Sequence, residues 1–377
     1  MNVFCKIVFV LLLSSLQLVA QDGLDLDGQL SAFGNFSPDN ELDMQMGIRY
    51  IPELEYSIPI DSTANLDFQA SVNLDANTAF SPFYKSKEDG NLDPYRIWAR
   101  YSTQQFELRA GLQKIDFGSA TMLRPLQWFN QIDPRDPLAL TKGVFGLLSR
   151  FYFSNNANIW GWVLYGNEKT RGFDVVKTND KRPEYGGRVQ FPVPKGELAF
   201  SYHHRTADSR ELLIVDSFKQ IGEDRFGIDG KWDIEVGLWF EATYSHKSED
   251  IGMLTHQTLL NLGVDYTFGL GNGLGIIVEH LITAFDETAF QFANNRHITA
   301  LSGTYPLSMN DNLTTVIYRD WASNSSSFFL NYEHQFNKLT AYLMAYYNPE
   351  TQQAFQQNDL VNNNSGPGLR LMLVYNH

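Results

Sequence analysis

Cysteine, basic residues and long apolar runs are all scarce in this sequence. Its one cysteine, Cys5, lies near the start, so the rest of the chain contains neither a disulfide framework nor a cysteine-based metal site. With 29 basic against 43 acidic residues the formal net charge is −14. This excess of acid argues against nucleic acid as a partner, because the phosphate backbone attracts basic surfaces. No apolar run of helix-spanning length follows the first twenty or so residues.

The N-terminal stretch, residues 1–21, has the layout of a secretory signal peptide. Lys6 supplies the positive charge, an apolar run follows from Ile7 to Leu13, and the small residue Ala20 marks the expected cleavage site. The apolar run is too short to cross a bilayer as a stable helix. The sequence therefore predicts an exported protein with one mature domain, residues 22–377.

Apolar and polar residues alternate with a period of two over long stretches of the chain. Between 42 and 58, and again between 66 and 76, most even positions are apolar and most odd positions are polar. A period of two with one apolar face is typical of a strand between two different solvents. The runs exceed the roughly five or six residues of a strand in a soluble sandwich and fit the nine to eleven or so of a transmembrane strand. We expect the even residues to face lipid and the odd residues to face a polar lumen.

Continued along the chain, this pattern predicts an all-β protein: a transmembrane antiparallel β-barrel of about 18 strands, with about 16 as the alternative. An even strand number is expected for a bacterial single-chain barrel. The strands are predicted near 24–36, 41–58, 64–79, 92–102, 104–116, 143–153, 156–167, 183–193, 195–205, 223–233, 234–247, 256–268, 272–284, 296–307, 311–321, 325–335, 337–347 and 366–377.

Short and long connections alternate along the chain, which is the habit of barrels with short periplasmic turns and long extracellular loops. Both termini would then be periplasmic, in a protein of the outer membrane of a Gram-negative bacterium. The long connections are predicted at 80–91, 117–142, 168–182, 206–222, 248–255, 285–295 and 348–365.

The segment from Gly111 to Lys142 contains the connection 117–142, which is the third external loop and lies between the fifth and sixth predicted strands. It has roughly twenty-five residues without a strand period, long for a loop of a compact domain, and too much apolar bulk for a disordered linker. We expect it to fold into the lumen and to constrict the pore there. The residues predicted at the constriction are Arg124, Trp128, Phe129, Asp133, Arg135 and Asp136.

Two other interpretations of this loop stay open. Trp128 and Phe129 are suited to stacking against a sugar or an aromatic solute, as well as to anchoring the loop. The carboxylates of Asp133 and Asp136 are oxygen ligands of the kind that divalent cations take, but Arg135 between them favours ion pairs instead. We therefore predict neither a metal nor any other cofactor.

Charged residues on predicted strands four to eight fall on the lumen face. In a water-filled pore such side chains set the transverse field and the ion selectivity. Alternatively, the arginines pair with acids and hold wall and loop together. The predicted charge ladder consists of Arg96, Arg100, Glu107, Arg109, Arg150 and Arg188.

The segment from Arg109 to Pro137 resembles a pattern in large outer-membrane barrels of the alginate-export and related uncharacterised families. In those barrels Arg-x-Gly-x-Gln leads through an aromatic-Gly pair to an Asp-Pro-x-Asp loop. The strand count and the loop position also resemble porin-type channels. The resemblance implies a substrate-conducting barrel, but it does not indicate which substrate this chain would conduct. The matching residues are Arg109, Gly111, Gln113, Phe117, Gly118, Asp133, Pro134 and Asp136.

Two classes of function remain open. The first is a channel for diffusion or export of small hydrophilic solutes, which a barrel of about eighteen strands favours because it leaves an aqueous lumen. The second is a non-channel barrel whose external loops bind a partner or catalyse a reaction. His203 and His204, with Asp208 and either Ser201 or Ser209, offer the residue types of a hydrolase triad. They are only sequence neighbours, so we expect no enzyme.

The expected partners follow from the barrel. Its outer face would contact outer-membrane lipid and lipopolysaccharide. The alternating C-terminal segment Leu369–His377 resembles the recognition signal of the barrel-assembly machinery, with His377 in place of the usual terminal aromatic residue. The sequence does not indicate the oligomeric state.

Overall fold

The protein is a closed antiparallel β-barrel. The computed structural model describes residues 23–81, 85–210, 220–349 and 365–377, and in these ranges the chain forms nineteen strands and one short 3-10 helix (Gly252–Leu254). Strand β1 pairs with both β2 and β19, which closes the sheet. Strand β8 has two residues and pairs only with β10, so the wall has eighteen strands, as predicted, and not sixteen. The strands are β1 (Leu24–Phe36), β2 (Met44–Pro59), β3 (Asn65–Ser81), β4 (Lys85–Ser102), β5 (Phe106–Gln113), β6 (Val144–Tyr152), β7 (Asn158–Leu164), β8 (Lys177–Thr178), β9 (Glu184–Val193), β10 (Gly196–Asp208), β11 (Ile221–Asp233), β12 (Gly237–Lys247), β13 (His256–Phe268), β14 (Leu274–Asp286), β15 (Asn295–Pro306), β16 (Asp311–Asp320), β17 (Ser325–Gln335), β18 (Leu339–Asn348) and β19 (Gly366–Asn376).

The two faces of the wall differ in the way that the alternation predicts. Along β3 the odd residues Ser71 and Asp75 are buried, whereas Phe68 is 39% exposed. The exposed apolar side chains form the outer face, of the kind that a bilayer accommodates. Tyr50 on β2 is an exception among the even residues: it is buried because its ring stacks on that of His377. No helix in the described ranges is long and apolar enough to cross a membrane.

Short turns and long connections gather at opposite ends of the barrel, and both chain ends lie with the short turns. The prediction of a loop at 80–91 is wrong for its described part, because β4 begins at Lys85 and pairs with β3 as far as Ser81. The backbone ladder continues there through polar residues, whose side chains carry no alternation. The predicted signal peptide, residues 1–21, lies outside the described residues, as does most of the connection 348–365.

Candidate functional site

The connection between β5 and β6, residues 114–143, is here called the inner loop. It contacts inward-facing residues at widely separated points of the wall. The guanidinium of Arg135 lies 5.6 Å from the ring centre of Tyr318 on β16. The last part of the loop returns to β4, where Arg96 donates hydrogen bonds to the Thr141 hydroxyl at 2.6 Å and to its carbonyl at 3.0 Å. A third contact is made at β10, where the ring of His203 stacks on that of Trp128.

Glu279 on β14 binds the first half of the inner loop. Its fully buried carboxylate accepts the backbone N–H groups of Thr121, Met122 and Leu123 at 2.7, 3.1 and 2.6 Å. The Thr121 hydroxyl donates a further bond at 2.9 Å. Asn261 on β13 completes the attachment by donating to the Leu123 carbonyl at 2.6 Å. A segment that is neither helix nor strand thereby satisfies its backbone inside the barrel.

Glu241 on β12 is a second buried carboxylate that binds the inner loop. It accepts the N–H of Ala120 at 2.7 Å and that of Leu126 at 3.1 Å. Gly118 approaches it so closely that a Cβ atom would meet Glu241 Oε1, and Gly118 has φ +104°, which favours glycine. Arg124, predicted at the constriction, is buried and forms an ion pair with Asp116 of the same loop at 2.6 Å.

An aromatic cluster fixes the middle of the inner loop against the wall. Trp128 and Phe129 are 4% and 1% exposed and pack with residues of β6, β7 and β10. Val144 and Leu148 of β6 join them from the inner face, which explains why β6 is apolar on both faces. The ring members of this aromatic cluster are Phe117, Trp128, Phe129, Trp160, Trp162 and His203.

Three of the four charged residues in the second half of the loop, Asp133, Arg135 and Asp136, are buried, whereas Lys142 is exposed. Arg135 forms a two-point ion pair with Asp133, at 3.0 and 2.8 Å. Asp136 accepts the N–H of Leu138 at 3.0 Å, and burial raises the pKa of its carboxyl. The Asp133 carboxylate therefore forms an ion pair with an arginine and is not placed to bind a cation. Among the described residues no group of three or more histidine, aspartate or glutamate side chains is arranged to hold a metal ion.

The arginines of the predicted charge ladder divide into two groups, of which one contacts the inner loop. Besides Arg96, this group contains Arg188, which forms a two-point ion pair with Asp229 at 2.5 and 2.9 Å. Its guanidinium lies 5.1 Å from the ring centre of Phe117.

The other group forms ion pairs within the wall. Arg100 pairs with Asp67 at 2.9 Å. Arg109 and Arg150 share the Glu107 carboxylate, at 2.9 and 3.7 Å. These two arginines and the one carboxylate together have a net charge of one positive.

A second long connection, residues 165–183, has its middle part, with Arg171, Gly172 and Asp174, inside the barrel, which the sequence interpretation missed. Here called the second loop, it holds the buried carboxylate Asp174, which pairs with Arg205 on β10 at 3.1 Å and Arg225 on β11 at 2.6 Å. Gly172 has φ +54° and abuts the backbone carbonyl of Gln127 in the inner loop. The two loops therefore pack against each other inside the lumen. The wall residues that hold the second loop belong to a buried network of Arg171, Asp174, Glu184, Arg205, Glu223, Arg225 and Lys247.

The residues considered for a hydrolase triad do not assemble. His203 points inward, where it lies 3.2 Å from Glu184, whereas His204 on the outer face lies 2.8 Å from Asp224. The Ser201 hydroxyl accepts a hydrogen bond from Arg188 at 3.1 Å. The two histidines therefore lie on opposite sides of the wall.

The remaining inner wall, on β13 to β19, carries a continuous group of buried apolar side chains that we call the apolar belt. Met122 and Leu123 of the inner loop pack on it, and Leu138 borders it. A cleft of about 610 Å³, open to solvent, lies between residues 135–138 of the inner loop, strands β1 to β3 and strands β17 to β19. The belt consists of Leu259, Leu281, Ile298, Ala300, Val316, Phe329, Met344, Tyr346, Met372 and Val374.

Solved structures resemble this arrangement, although no family model and no curated protein matches the sequence. OccK5 (OpdH) of Pseudomonas aeruginosa has a TM-score of 0.56 at 12% identity, covering 94% of this chain and 98% of that one. OccAB2 of Acinetobacter baumannii gives 0.56 at 10% identity, with 94% and 98% covered. An anion-selective porin from Comamonas acidovorans gives 0.50 at 11% identity, with 94% and 99% covered. The chain has the porin fold. At these identities the likeness concerns the fold alone.

Proposed function

We propose that the protein is a porin-like channel, and not an enzyme, in the outer membrane of a Gram-negative bacterium. Small hydrophilic solutes would diffuse through it or be exported. The observation that supports this most is the eighteen-strand wall with buried charged residues on its inner face and apolar side chains on its outer face. Both termini would face the periplasm, since they lie with the short turns.

The inner loop would be the constriction. It contacts the wall at β4, β10, β12, β14 and β16, and its aromatic and charged residues are buried there. A loop held by buried carboxylates and by an aromatic cluster stays in place, whereas a solvated loop moves on the nanosecond-to-microsecond scale. The passage for solutes would then be the part of the lumen that the two loops leave open.

Deletion of residues 125–137 tests this proposal. The truncated protein should fold, because the wall ladders do not involve these residues, and its single-channel conductance in a planar bilayer should be markedly larger. Deletion of residues 288–291, between β14 and β15, is the control, since Phe290 there packs on Tyr244 outside the lumen. Equal conductance with and without residues 125–137 would place the loop off the conduction path. A wild-type barrel without any conductance would refute the channel and favour a surface-binding barrel.

The lumen arginines would favour anions. Changing Arg96, Arg100 and Arg109 together to Gln should shift the permeability ratio toward cations, because three positive charges are removed, Asp67 loses its partner and Glu107 keeps only Arg150. The reversal potential in a salt gradient measures this ratio. Arg182→Gln, at the exposed end of the second loop, where the guanidinium donates to the Gln220 side chain, is the matched control. If the triple variant has the reversal potential of the wild type, these arginines serve only as wall pairs.

The outer face would contact lipid and lipopolysaccharide, and Leu369–His377 would be the segment that the barrel-assembly machinery recognises. In that segment the alternate residues of β19 are exposed on the outer face. The ring of His377 stacks between those of Tyr50 and Tyr375, where a terminal aromatic residue would also fit.

A further inference from the structure

The open cleft beside the inner loop has two chemically different walls. The cleft is open to solvent, and its volume of about 610 Å³ includes part of that open space. One side is charged and polar, with Arg49 and Asp75 from β2 and β3. The other side is apolar, with Phe33 from β1 and with Phe329 and Met344 from the apolar belt. A solute in this cleft meets charge on one side and a surface of aromatic and thioether side chains on the other.

The charged side contains an arginine and an aspartate that face each other without forming a bond. Arg49 and Asp75 are direct cross-strand partners in the β2–β3 ladder, yet no ion pair within 4.0 Å joins them. Among the described residues the Asp75 carboxylate accepts hydrogen bonds only from the side-chain amides of Asn73 and Asn77, at 3.2 Å each. Within the described parts of the chain the Arg49 guanidinium has no hydrogen bond and no ion pair within 4.0 Å, although its charge acts on the Asp136 carboxyl of the inner loop. Arg49 lines the open cleft and is only half-buried, so a ligand carboxylate in the cleft would form a charge-assisted hydrogen bond with its guanidinium.

Charges of both signs line the rest of the cleft. The buried Asp136 carboxylate of the inner loop and the buried Arg370 of β19 lie on its border. Arg135 also borders the cleft, but its guanidinium already forms an ion pair with Asp133. A solute with a single charge would therefore meet a like charge as well as an opposite one. A solute that carries both charges meets a partner for each, which discriminates against the other two classes.

We propose that the cleft binds zwitterionic solutes with an apolar side chain, the chemical class of the apolar α-amino acids. The carboxylate would be bound by Arg49, the ammonium group by Asp75, and the side chain by Phe33, Phe329 and Met344. The inference rests on the proposed function in that the cleft would lie on the route of the solute. Binding itself needs no conduction, so the two can be tested separately.

Isothermal titration calorimetry of the refolded full-length protein in detergent tests the site with four probes. L-phenylalanine carries both charges and an apolar side chain. Phenethylamine lacks the carboxylate, 3-phenylpropionate lacks the ammonium group, and glycine lacks the side chain. We expect L-phenylalanine to bind and each of the other three to bind at least about tenfold more weakly, since each loses one of the three contacts.

Two isosteric variants separate the roles of the charges. Arg49→Gln should weaken L-phenylalanine binding about tenfold and leave phenethylamine binding unchanged, whereas Asp75→Asn should weaken L-phenylalanine similarly and leave 3-phenylpropionate unchanged. Asp61→Asn, in the exposed turn between β2 and β3, is the control and should bind all probes like the wild type. Heat-modifiable migration in gel electrophoresis verifies that each variant is folded.

The outcomes distinguish this proposal from the channel itself. Tight binding of 3-phenylpropionate would make the cleft a plain anion site, and tight binding of glycine would show that the apolar side is not used; either overturns the proposal. A protein that conducts ions in a planar bilayer but binds none of the probes also overturns it, while the channel stands. Selective binding of L-phenylalanine by a barrel that does not conduct upholds the site and refutes the channel.

Discussion

The attachment of the inner loop depends most on Glu279. One carboxylate oxygen accepts the N–H and the hydroxyl of Thr121, and the other accepts the N–H groups of Met122 and Leu123. The Trp239 indole donates to the first oxygen at 3.2 Å. Glu279→Gln retains the shape of this side chain, but it replaces one acceptor oxygen by an NH₂ group that only donates.

The hydrogen bonds that Glu279→Gln removes determine how much it weakens the attachment of the inner loop. Whichever way the new amide is turned, its NH₂ group faces loop N–H donors: that of Thr121 on one side, or those of Met122 and Leu123 on the other. Each buried donor without an acceptor costs about 1–3 kcal/mol, and the lost bonds were to a charged group. We expect the attachment to weaken by about 3 kcal/mol, which makes the detached population roughly a hundredfold larger. The wall ladders are untouched, so the barrel should still assemble.

Single-channel recording and hydrogen exchange measure this change. The Glu279→Gln channel should show larger open-channel noise and a higher mean conductance, and the amides of residues 118–126 should exchange faster. Glu197→Gln is the control, because that carboxylate is exposed on β10 and bonds only the Gln190 amide among the described residues. If Glu279→Gln keeps the noise, the conductance and the exchange rates of the wild type, buried carboxylates are not what holds the loop.

Two further perturbations test the wall and the second loop. Val72→Arg places a charge on the outer face and should impair assembly by about 2–4 kcal/mol, whereas Asn73→Arg points into the lumen and should be tolerated; equal yields of folded barrel would contradict the assignment of the two faces. Glu223→Gln removes one of the two buried acids that Arg205 and Arg225 share, the other being Asp174, and should cost about 3–5 kcal/mol, seen as faster tryptic cleavage within residues 165–183. Unchanged cleavage would mean that this network does not hold the second loop.

The strands of the wall were predictable from the sequence because the side chains on the two faces of the barrel have different surroundings, apolar outside and polar inside. The first strand, expected at 24–36, is Leu24–Phe36, and the strand expected at 325–335 is Ser325–Gln335. In both, alternation reports directly which residues point outward. The same physics explains the failure at 80–91: the β3–β4 hairpin continues through polar residues, where backbone pairing persists but side-chain alternation ends.

The interior was less predictable because its contacts are remote in sequence. Glu241 lies 121 positions from Ala120, and Glu279 lies 158 positions from Thr121, so no local pattern connects them. The apolar content of the inner loop indicated a buried segment, but not which strands bury it. The second loop, between β7 and β9, was expected outside the lumen. Its only local signal is that Asp174 stands beside the apolar residues Phe173 and Val176, a pattern too short to interpret.

The buried carboxylates follow from the kind of segment that the barrel encloses. A helix or strand satisfies its own N–H groups, whereas an irregular loop among apolar side chains must find acceptors elsewhere. A carboxylate has two oxygens and no hydrogen to donate, so one side chain can accept several adjacent N–H groups. Glu279 does this beside Met122 and Leu123, whose side chains pack on the apolar belt. Packing alone would allow the loop to slide along that belt, whereas directional bonds to fixed wall strands fix its register. The passage that remains then has a constant outline, which the proposed selection of solutes by charge and shape would require.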